Sequence, residues 1–206
     1  MKSKKNLLEQ LDDFPHFTKS TLYQLGNQLG LKNSTVNTYI SRFLKHKEIL
    51  SLKRGLYISA KFFGNNKSDI SYLYYLANIL RTPSYVSSWT ALQYYNLTTE
   101  AIRSITSVTP KVTRKYAVRG INTFSYQSIQ KGLFSDYALV KGKFDFFIAS
   151  PSKALFDLLY FRTGQFRGVR FENVRQMVEE LRIDIDEMDE VERNKFYEKV
   201  KTRIHE

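Results

Sequence analysis

Residues 33–47 read NSTVNTYISRFLKHK, and this stretch decides how the first part of the chain folds. Its apolar residues Val36, Ile40 and Phe43 stand at the spacing of one side of a helix, so they predict a buried stripe. The stretch contains no Asp or Glu, whereas a surface helix normally mixes acidic and basic residues. The remaining side of the predicted helix is therefore polar and basic.

Hydroxyls, amides and cations on that outward side are the groups that contact phosphate oxygens and base edges in a DNA major groove. Asn33 or Ser34 is the predicted N-cap of the helix. Asn37 and Arg42 have the side chains for bidentate contacts with adenine and guanine. The predicted DNA-binding residues of this segment are Lys32, Asn33, Ser34, Thr35, Asn37, Thr38, Ser41, Arg42 and Lys45.

Two helices are predicted before this one. Leu7, Leu8 and Leu11 recur at helical spacing and predict a first helix over about residues 3–13. Thr18 is the predicted N-cap of the second helix, and Gly30 stands where a helix favours a left-handed residue at its end. A helix, a short turn containing Gly and a polar helix form the helix-turn-helix pattern.

A β-hairpin is predicted directly after the polar helix, because the strand-like runs ILSL and LYIS flank Lys53, Arg54 and Gly55. Gly55 supplies the turn, and the two cations at the tip can contact backbone phosphate. These elements predict a winged helix-turn-helix. A three-helix bundle with a solvated hairpin would give the same local pattern.

A loop is predicted at residues 63–68, FGNNKS, because Gly, Asn and Ser interrupt the periodic pattern there. It separates a winged helix-turn-helix domain, residues 1–63, from a second domain, residues 69–206. Four strand patterns and several helical patterns alternate in the second domain. We therefore predict an α+β protein, with a mixed α/β C-terminal domain built on a small sheet of strands near 105–108, 116–118, 123–126 and 144–149.

The net charge of the chain indicates which class of partner it binds. Its 206 residues include 32 Lys and Arg against 20 Asp and Glu, a net charge of +12 that favours polyanions, nucleic acid before acidic lipid. The absence of cysteine excludes disulfides, cysteine-based metal centres and thiol nucleophiles. With no signal peptide pattern and no apolar run of roughly 18 residues, we expect a cytoplasmic protein without a membrane partner.

The C-terminal part differs, because residues 171–206 hold seven Lys or Arg and eleven Asp or Glu. We expect this acidic segment to form a solvated helix face and loop rather than to fold back onto the basic part of the chain.

Four motifs occur in a specific order: RGLY (54–57), PSYVSSWTAL (83–92), VTPK (108–111) and ASPSKALFDLL (149–159). Together they resemble the AbiEi-type antitoxins of bacterial abortive-infection systems, over roughly residues 15–165. The sequence departs from that family at Asn96, where Gly is frequent, and at Ser152, where an acidic residue is common. The motif positions of the second domain are Ser87, Trp89, Ala91, Leu92, Ser150, Pro151, Lys153 and Asp157.

The resemblance implies a DNA-binding repressor of its own promoter. Because a single winged helix reads few base pairs, we expect the operator in double-stranded DNA to be an inverted repeat. The resemblance also implies a second domain that supplies antitoxicity against a nucleotidyltransferase-like toxin of a type IV toxin–antitoxin operon, without a stable complex. An RNA-binding module acting through its basic second domain is the alternative, and a nuclease is a third hypothesis.

The sequence shows none of the catalytic or metal-binding patterns that we searched for. Asp136 and Asp145 lie in strand-rich sequence, but no Glu-x-Lys follows them as a nuclease would require. His16, His46 and His205 show no metal-ligand spacing, and no phosphate-binding Gly-rich loop is present. We therefore expect no enzyme, no metal and no cofactor.

Asp157 and Trp89 each allow two interpretations. Asp157, among apolar helix positions, is either catalytic or paired with Lys153 one turn before it, and we favour the ion pair. Trp89 either stacks on an unpaired base or packs in the core beside Ala91 and Leu92, and we favour the core. A basic cluster nearby predicts a possible second surface for DNA or RNA, formed by Lys111, Arg114, Lys115 and Arg119.

Overall fold

The computed structural model describes residues 2–101 and 103–205 of the chain. The chain is an α+β protein that divides into two units, residues 1–72 and residues 73–206. The first unit contains helices and a three-stranded antiparallel sheet, and the second contains a six-stranded mixed sheet with helices. This agrees with the predicted class.

Three helices precede the predicted hairpin in the first unit, as predicted, and a short strand lies between the first two helices. Two-residue strand β1 joins the edge of the predicted hairpin, giving the antiparallel order β1-β3-β2. The elements are α1 (Lys2–Leu11), β1 (Phe17–Thr18), α2 (Lys19–Gln28), α3 (Asn33–Lys45), β2 (Ile49–Lys53), β3 (Leu56–Ser59) and α4 (Ala60–Asn66).

Local sequence explains most of these boundaries. The Thr18 hydroxyl accepts a hydrogen bond from the Thr21 amide at 3.2 Å, so Thr18 caps α2 as predicted. Gly30 and Gly55 have φ angles of +70° and +79°, which confirms the predicted left-handed turns. The predicted cap of α3 is wrong: the N-cap is Lys32, which makes no side-chain capping bond, so α3 begins one residue earlier than an Asn33 cap would allow and two earlier than a Ser34 cap would.

The hydrophobic core of the first unit contains the apolar residues that were predicted to be buried on α1 and α3. Its buried members are Leu7, Leu11, Phe17, Leu22, Val36, Ile40, Phe43, Ile49 and Tyr57. Gly26 on α2 makes this packing possible, because a Cβ atom there would lie 2.4 Å from Val36 Cγ2. The helices therefore approach each other where α2 has no side chain.

The loop predicted at residues 63–68 is partly wrong, because residues 60–66 form α4. The Ser59 hydroxyl accepts a hydrogen bond from the Phe62 amide at 3.3 Å and starts the helix. Asn66, which suggested a loop, is buried and donates to the Phe62 carbonyl at 2.8 Å. The division between the units falls after Tyr72, within α5 (Ile70–Leu80).

Six strands, with the order β6-β7-β5-β4-β9-β8, form the sheet of the second unit. β5 runs parallel to β7 and β4 parallel to β9, whereas the other pairs are antiparallel. The strands are β4 (Tyr85–Val86), β5 (Ser104–Thr109), β6 (Arg114–Val118), β7 (Asn122–Ser128), β8 (Tyr137–Val140) and β9 (Phe146–Ala149).

Two of these strands were not predicted, so the sheet is larger than expected. β4 has only two residues, which is too short to show a period. β8 is an edge strand with exposed Ala138 and Leu139, so its sequence lacks the alternation that burial on one face imposes.

The remaining helices are α6 (Ser88–Tyr94), α7 (Pro151–Arg162), α8 (Val174–Glu180) and α9 (Glu190–His205). Ser150 caps α7 by accepting from the Lys153 amide at 3.3 Å, and Pro151 stands in the first turn, where its missing N–H costs no hydrogen bond. Asn96 follows α6 with a φ of +58°, a conformation that Gly and Asn adopt more readily than other residues. None of the described helices is long and apolar enough to span a membrane.

Candidate nucleic-acid interface

One side of α3 carries the predicted DNA-binding residues on a continuous surface. The buried side faces the core through Val36, Ile40 and Phe43, so the helical period directs the polar residues outward. Thr35 is half-buried. The exposed members are Lys32, Asn33, Ser34, Asn37, Thr38, Ser41, Arg42 and Lys45.

Asn37 is held in place by a residue that sequence reasoning missed. The Tyr23 hydroxyl of α2 donates a hydrogen bond to Asn37 Oδ1 at 2.8 Å. The Lys19 ammonium lies 5.2 Å from the centre of the Tyr23 ring, and its interaction with the hydroxyl lowers the pKa of Tyr23. The sequence contained one indication of the contact between Lys19 and Tyr23. The two residues are four positions apart in α2, which places them on one face of the helix.

Two hydroxyls on the same surface are turned towards the helix backbone. Thr38 Oγ1 donates to the Ser34 carbonyl at 3.2 Å, and Ser41 Oγ donates to the Asn37 carbonyl at 3.1 Å. With its proton used in this way, each hydroxyl oxygen presents lone pairs to solvent. Arg42 and the Asn37 amide group are therefore the stronger donors of this surface.

Three carboxylates of the first unit pair with cations outside α3. Glu9 lies 3.8 Å from Lys5, Asp12 lies 3.3 Å from Lys61, and Glu48 lies 3.3 Å from Lys4. Over the described residues, no carboxylate oxygen lies within 4.0 Å of the charged groups of Lys32, Arg42 or Lys45. The charge of this surface is therefore not neutralised within the unit.

The hairpin presents the other predicted cations. Arg54 is exposed at its tip and Lys53 is half-buried. The Gly55 carbonyl accepts a hydrogen bond from the Lys19 amide at 3.1 Å, which ties the tip to the start of α2. The register of the hairpin shifts between Ser51 and Lys53, an irregularity that increases local twist.

In the second unit, the predicted basic cluster does not form one surface. The Lys111 ammonium donates to the Thr82 carbonyl at 2.6 Å, and the Arg114 guanidinium lies 5.7 Å from the centre of the Tyr116 ring. Lys115 follows Arg114 on β6, so its side chain lies on the opposite face of the sheet. Arg119 lies in the turn between β6 and β7.

Two distant motifs meet in a buried network around Asp157. Lys153 forms an ion pair with Asp157, which confirms the favoured interpretation, and both side chains are almost wholly inaccessible to solvent. The Ser87 hydroxyl donates to Asp157 Oδ2 at 2.7 Å and the Tyr85 hydroxyl donates to the same atom at 3.1 Å. Ser87 thus makes no capping bond to α6. Burial raises the pKa of Asp157, although these donors favour its charged form.

The other motif positions are structural or partly exposed. Ala91 and Leu92 are buried, whereas Trp89 is half-buried, so the favoured core position for Trp89 is wrong. The helical period of α6 places Trp89 beside exposed Gln93, four residues later, and also beside buried Leu92, three residues later, so Trp89 lies at the edge of the buried face. Trp89 borders a groove that also contains Arg162.

The acidic segment contributes a carboxylate to the start of α7. Glu192 Oε2 accepts from the Ser152 amide at 3.1 Å and from the Ser152 hydroxyl at 2.6 Å, and Lys195 contacts the other oxygen at 2.9 Å. Burial would raise the pKa of Glu192, but these hydrogen bonds lower it to about 2. A glutamate from α9 therefore supplies the acidic group beside Ser152.

The candidate catalytic groups have ordinary partners. Asp136 lies 2.9 Å from the Lys199 ammonium, and Asp145 accepts from the Gly142 amide at 3.0 Å. Burial lowers the pKa of His16. In the part of the chain that the structure describes, no three His, Cys, Asp or Glu side chains form a group that could hold a metal ion.

No protein-family model matches the chain, and no curated protein is significantly similar to it. The resemblance to the antitoxin family therefore stays a prediction from the four sequence motifs.

Proposed function

We propose that this chain is a DNA-binding autorepressor and antitoxin of a bacterial type IV toxin–antitoxin operon. In this proposal the first unit is a winged helix-turn-helix, with α3 as the recognition helix and the β2–β3 hairpin as the wing. Double-stranded operator DNA is the direct partner, and a nucleotidyltransferase-like toxin is the functional partner, without a stable complex. The protein is not an enzyme in this proposal and acts in the cytoplasm.

A single observation carries the DNA-binding half: the exposed side of α3 has hydroxyls, an oriented amide and unpaired cations, and no acidic residue. A helix of this kind fits a major groove, where Asn and Arg read adenine and guanine. One such unit contacts few base pairs. We therefore expect an inverted-repeat operator whose half-sites lie roughly one helical turn, or a multiple of one, apart.

The antitoxin half rests on the motif order and on the network that joins two motifs. Tyr85 and Ser87 of the PSYVSSWTAL motif donate hydrogen bonds to Asp157 of the ASPSKALFDLL motif, so these two sequence runs form one structural unit. The RNA-binding alternative is supported by a different observation, the polar and partly exposed face of the sheet in the second unit.

Arg42→Ala is the test of base reading by α3. We expect it to reduce discrimination between the promoter fragment upstream of the gene and an unrelated duplex, by about 1–3 kcal/mol at fixed salt. Lys5→Ala is the matched control, because it removes one exposed charge that is paired with Glu9. If Arg42→Ala weakens binding to both duplexes equally, Arg42 contacts only phosphate and does not read a base.

Antitoxicity is tested with the adjacent reading frame expressed from an unrelated promoter, so that repression cannot explain a rescue. The full chain should restore growth, and Arg42→Ala should restore it equally well. If neither restores growth while both are abundant, the antitoxin assignment is wrong. If the operator is still bound, the repressor assignment survives.

A further inference from the structure

One face of the second unit's sheet is polar and partly open. Thr106 of β5, Ser125 of β7 and Lys115 of β6 are paired in register, and the next row consists of Ser104, Thr123 and Ala117. Their side chains share one face of the sheet, which we call the open face. All are half-buried or exposed, whereas Ile105 and Phe124, on the other face, are buried.

A groove of about 340 Å³ lies against the open face, in the size range of small-ligand sites. The indole of Trp89 and the ring of Phe161 border it, and Ser125, Gln127 and Arg162 add donors and acceptors. None of the described residues that line this groove is acidic. A flat aromatic group with polar edges fits these surroundings.

Backbone strain marks the same groove. Ser88, which also lines it, has a φ of +52° although it is neither Gly nor Asn. Such a conformation is strained and persists at sites where the surrounding structure imposes it, often beside ligands. It sets the position of Trp89, the next residue, at the rim of the open face.

Charge around the open face favours an anionic chain. Residues 101–135 contain six Lys or Arg and no Asp or Glu. Lys115 projects from the open face itself, and Arg162 is exposed at the groove. A second groove that Trp89 also lines contains Arg103 and Arg182 but also Glu100 and Glu180, and there Arg182 lies 3.9 Å from Glu100. The cations that a polyanion would meet on the open face are therefore Lys115 and Arg162.

We infer that the open face binds unpaired nucleotides, with one base stacked on Trp89. Ser125 and Gln127 contact the edge of that base, and Arg162 and Lys115 contact the flanking phosphates. A duplex keeps the faces of its bases stacked inside, so only a single strand can offer one to the indole. This inference is independent of operator binding by the first unit.

Trp89 is the only tryptophan of the chain, so intrinsic fluorescence reports on this groove directly. Full-length protein is titrated at fixed salt with a U12 oligoribonucleotide, a dT12 oligonucleotide and a 12-base-pair DNA duplex. We expect both single strands, or one of them, to quench Trp89 and the duplex to leave it unchanged. Stronger quenching by U12 than by dT12 identifies RNA as the ligand. Stronger quenching by dT12 identifies single-stranded DNA.

Variants separate stacking from general charge. By anisotropy with labelled single strands, Trp89→Ala should bind roughly 5- to 150-fold more weakly, with Trp89→Phe in between. Arg162→Ala should also weaken binding, whereas Arg175→Ala, an exposed arginine on α8, should not. Promoter binding should be unchanged in all four variants.

The inference is overturned if Trp89→Ala or Trp89→Phe, whichever is folded by circular dichroism, binds single strands as tightly as the unchanged chain. It is equally overturned if the duplex quenches Trp89 as strongly as the single strands, or if Arg175→Ala weakens binding as much as Arg162→Ala. Each of these outcomes leaves the operator proposal intact.

Discussion

The Tyr23 hydroxyl on α2 lies 2.8 Å from Asn37 Oδ1 on α3 and donates a hydrogen bond to it. An asparagine that reads adenine must present its oxygen and its nitrogen in one plane to the base. Tyr23 occupies one lone pair of the oxygen and thereby restricts the rotation of the amide. It is a positioning residue for the recognition surface that we propose.

Tyr23→Phe removes this hydrogen bond and keeps the ring. We expect a loss of about 0.5–1.5 kcal/mol in operator affinity, and little change in thermal stability because the hydrogen bond is at the surface. Competitive gel shifts with operator and unrelated duplex measure the effect. Tyr39→Phe removes a hydroxyl from a half-buried ring of α3 and is the control. Equal losses in both variants would contradict the positioning role.

The hairpin tip should act through charge alone. Neutralising Lys53 and Arg54 together as glutamines should reduce the slope of log K against log salt by about two units and leave sequence preference intact. The matched control neutralises Lys5 and Lys61, two exposed lysines that are paired with carboxylates of the first unit. An unchanged slope in the hairpin variant would remove the tip from the interface.

Local signals in the sequence predicted the start and end of several elements, because the contacts that define them are local. Thr18 and Ser150 bond to amides three residues later, and Gly30 needs only its own backbone freedom. Gly64 and Asn65 misled the prediction of a loop, because the Ser59 cap and the buried Asn66 bond outweigh their weak helix propensity.

Contacts between residues that are far apart in the sequence could not be predicted from local patterns. Ser87 stands directly before α6, where a serine hydroxyl commonly caps a helix, but its hydroxyl bonds to Asp157, seventy residues away. Tyr23 was not identified as a partner of Asn37, because their contact depends on how α2 and α3 cross. The half-buried position of Trp89 could not be read from the period of its short helix either, because Trp89 shares a face with buried Leu92 as well as with exposed Gln93.

Asp157→Ala should destabilise the second unit by about 3–5 kcal/mol, since it leaves the Lys153 ammonium buried without its counter-ion. Replacing both residues, with Lys153→Met and Asp157→Leu, should recover part of the loss because apolar side chains suit a buried site. Urea unfolding followed by Trp89 fluorescence reports on this unit. A double variant less stable than Asp157→Ala would argue against a simple unpaired-charge penalty.

Glu192 should make the second unit sensitive to acid. Its pKa is lowered from 4.5 to about 2 by the hydrogen bonds with Ser152 and Lys195, which outweigh the effect of burial. A lowered carboxyl pKa adds stability that is fully present above about pH 4.5 and is lost as the pH falls through about 2. The contribution should be about 1 kcal/mol or less, since Glu192 is partly exposed.

Glu192→Gln should therefore unfold at a lower temperature than the unchanged chain at pH 7, and the difference should shrink as the pH falls towards 2. Glu190→Gln, at an exposed position at the start of the same helix, is the control and should show no such trend. A constant difference across the pH range would show that packing, not ionisation, explains the Glu192 variant.

Gly26 and Val36 lie so close that a single added carbon at position 26 would collide with the Val36 side chain. Each of these two positions consequently restricts what the other can accept over evolutionary time. A protein that diverged from this one could gain Ala or Ser at position 26 only if position 36 became smaller or α2 moved away from α3. Because Asn37 directly follows Val36, such a drift would also shift the recognition surface, so a change in the core could alter which operator is read.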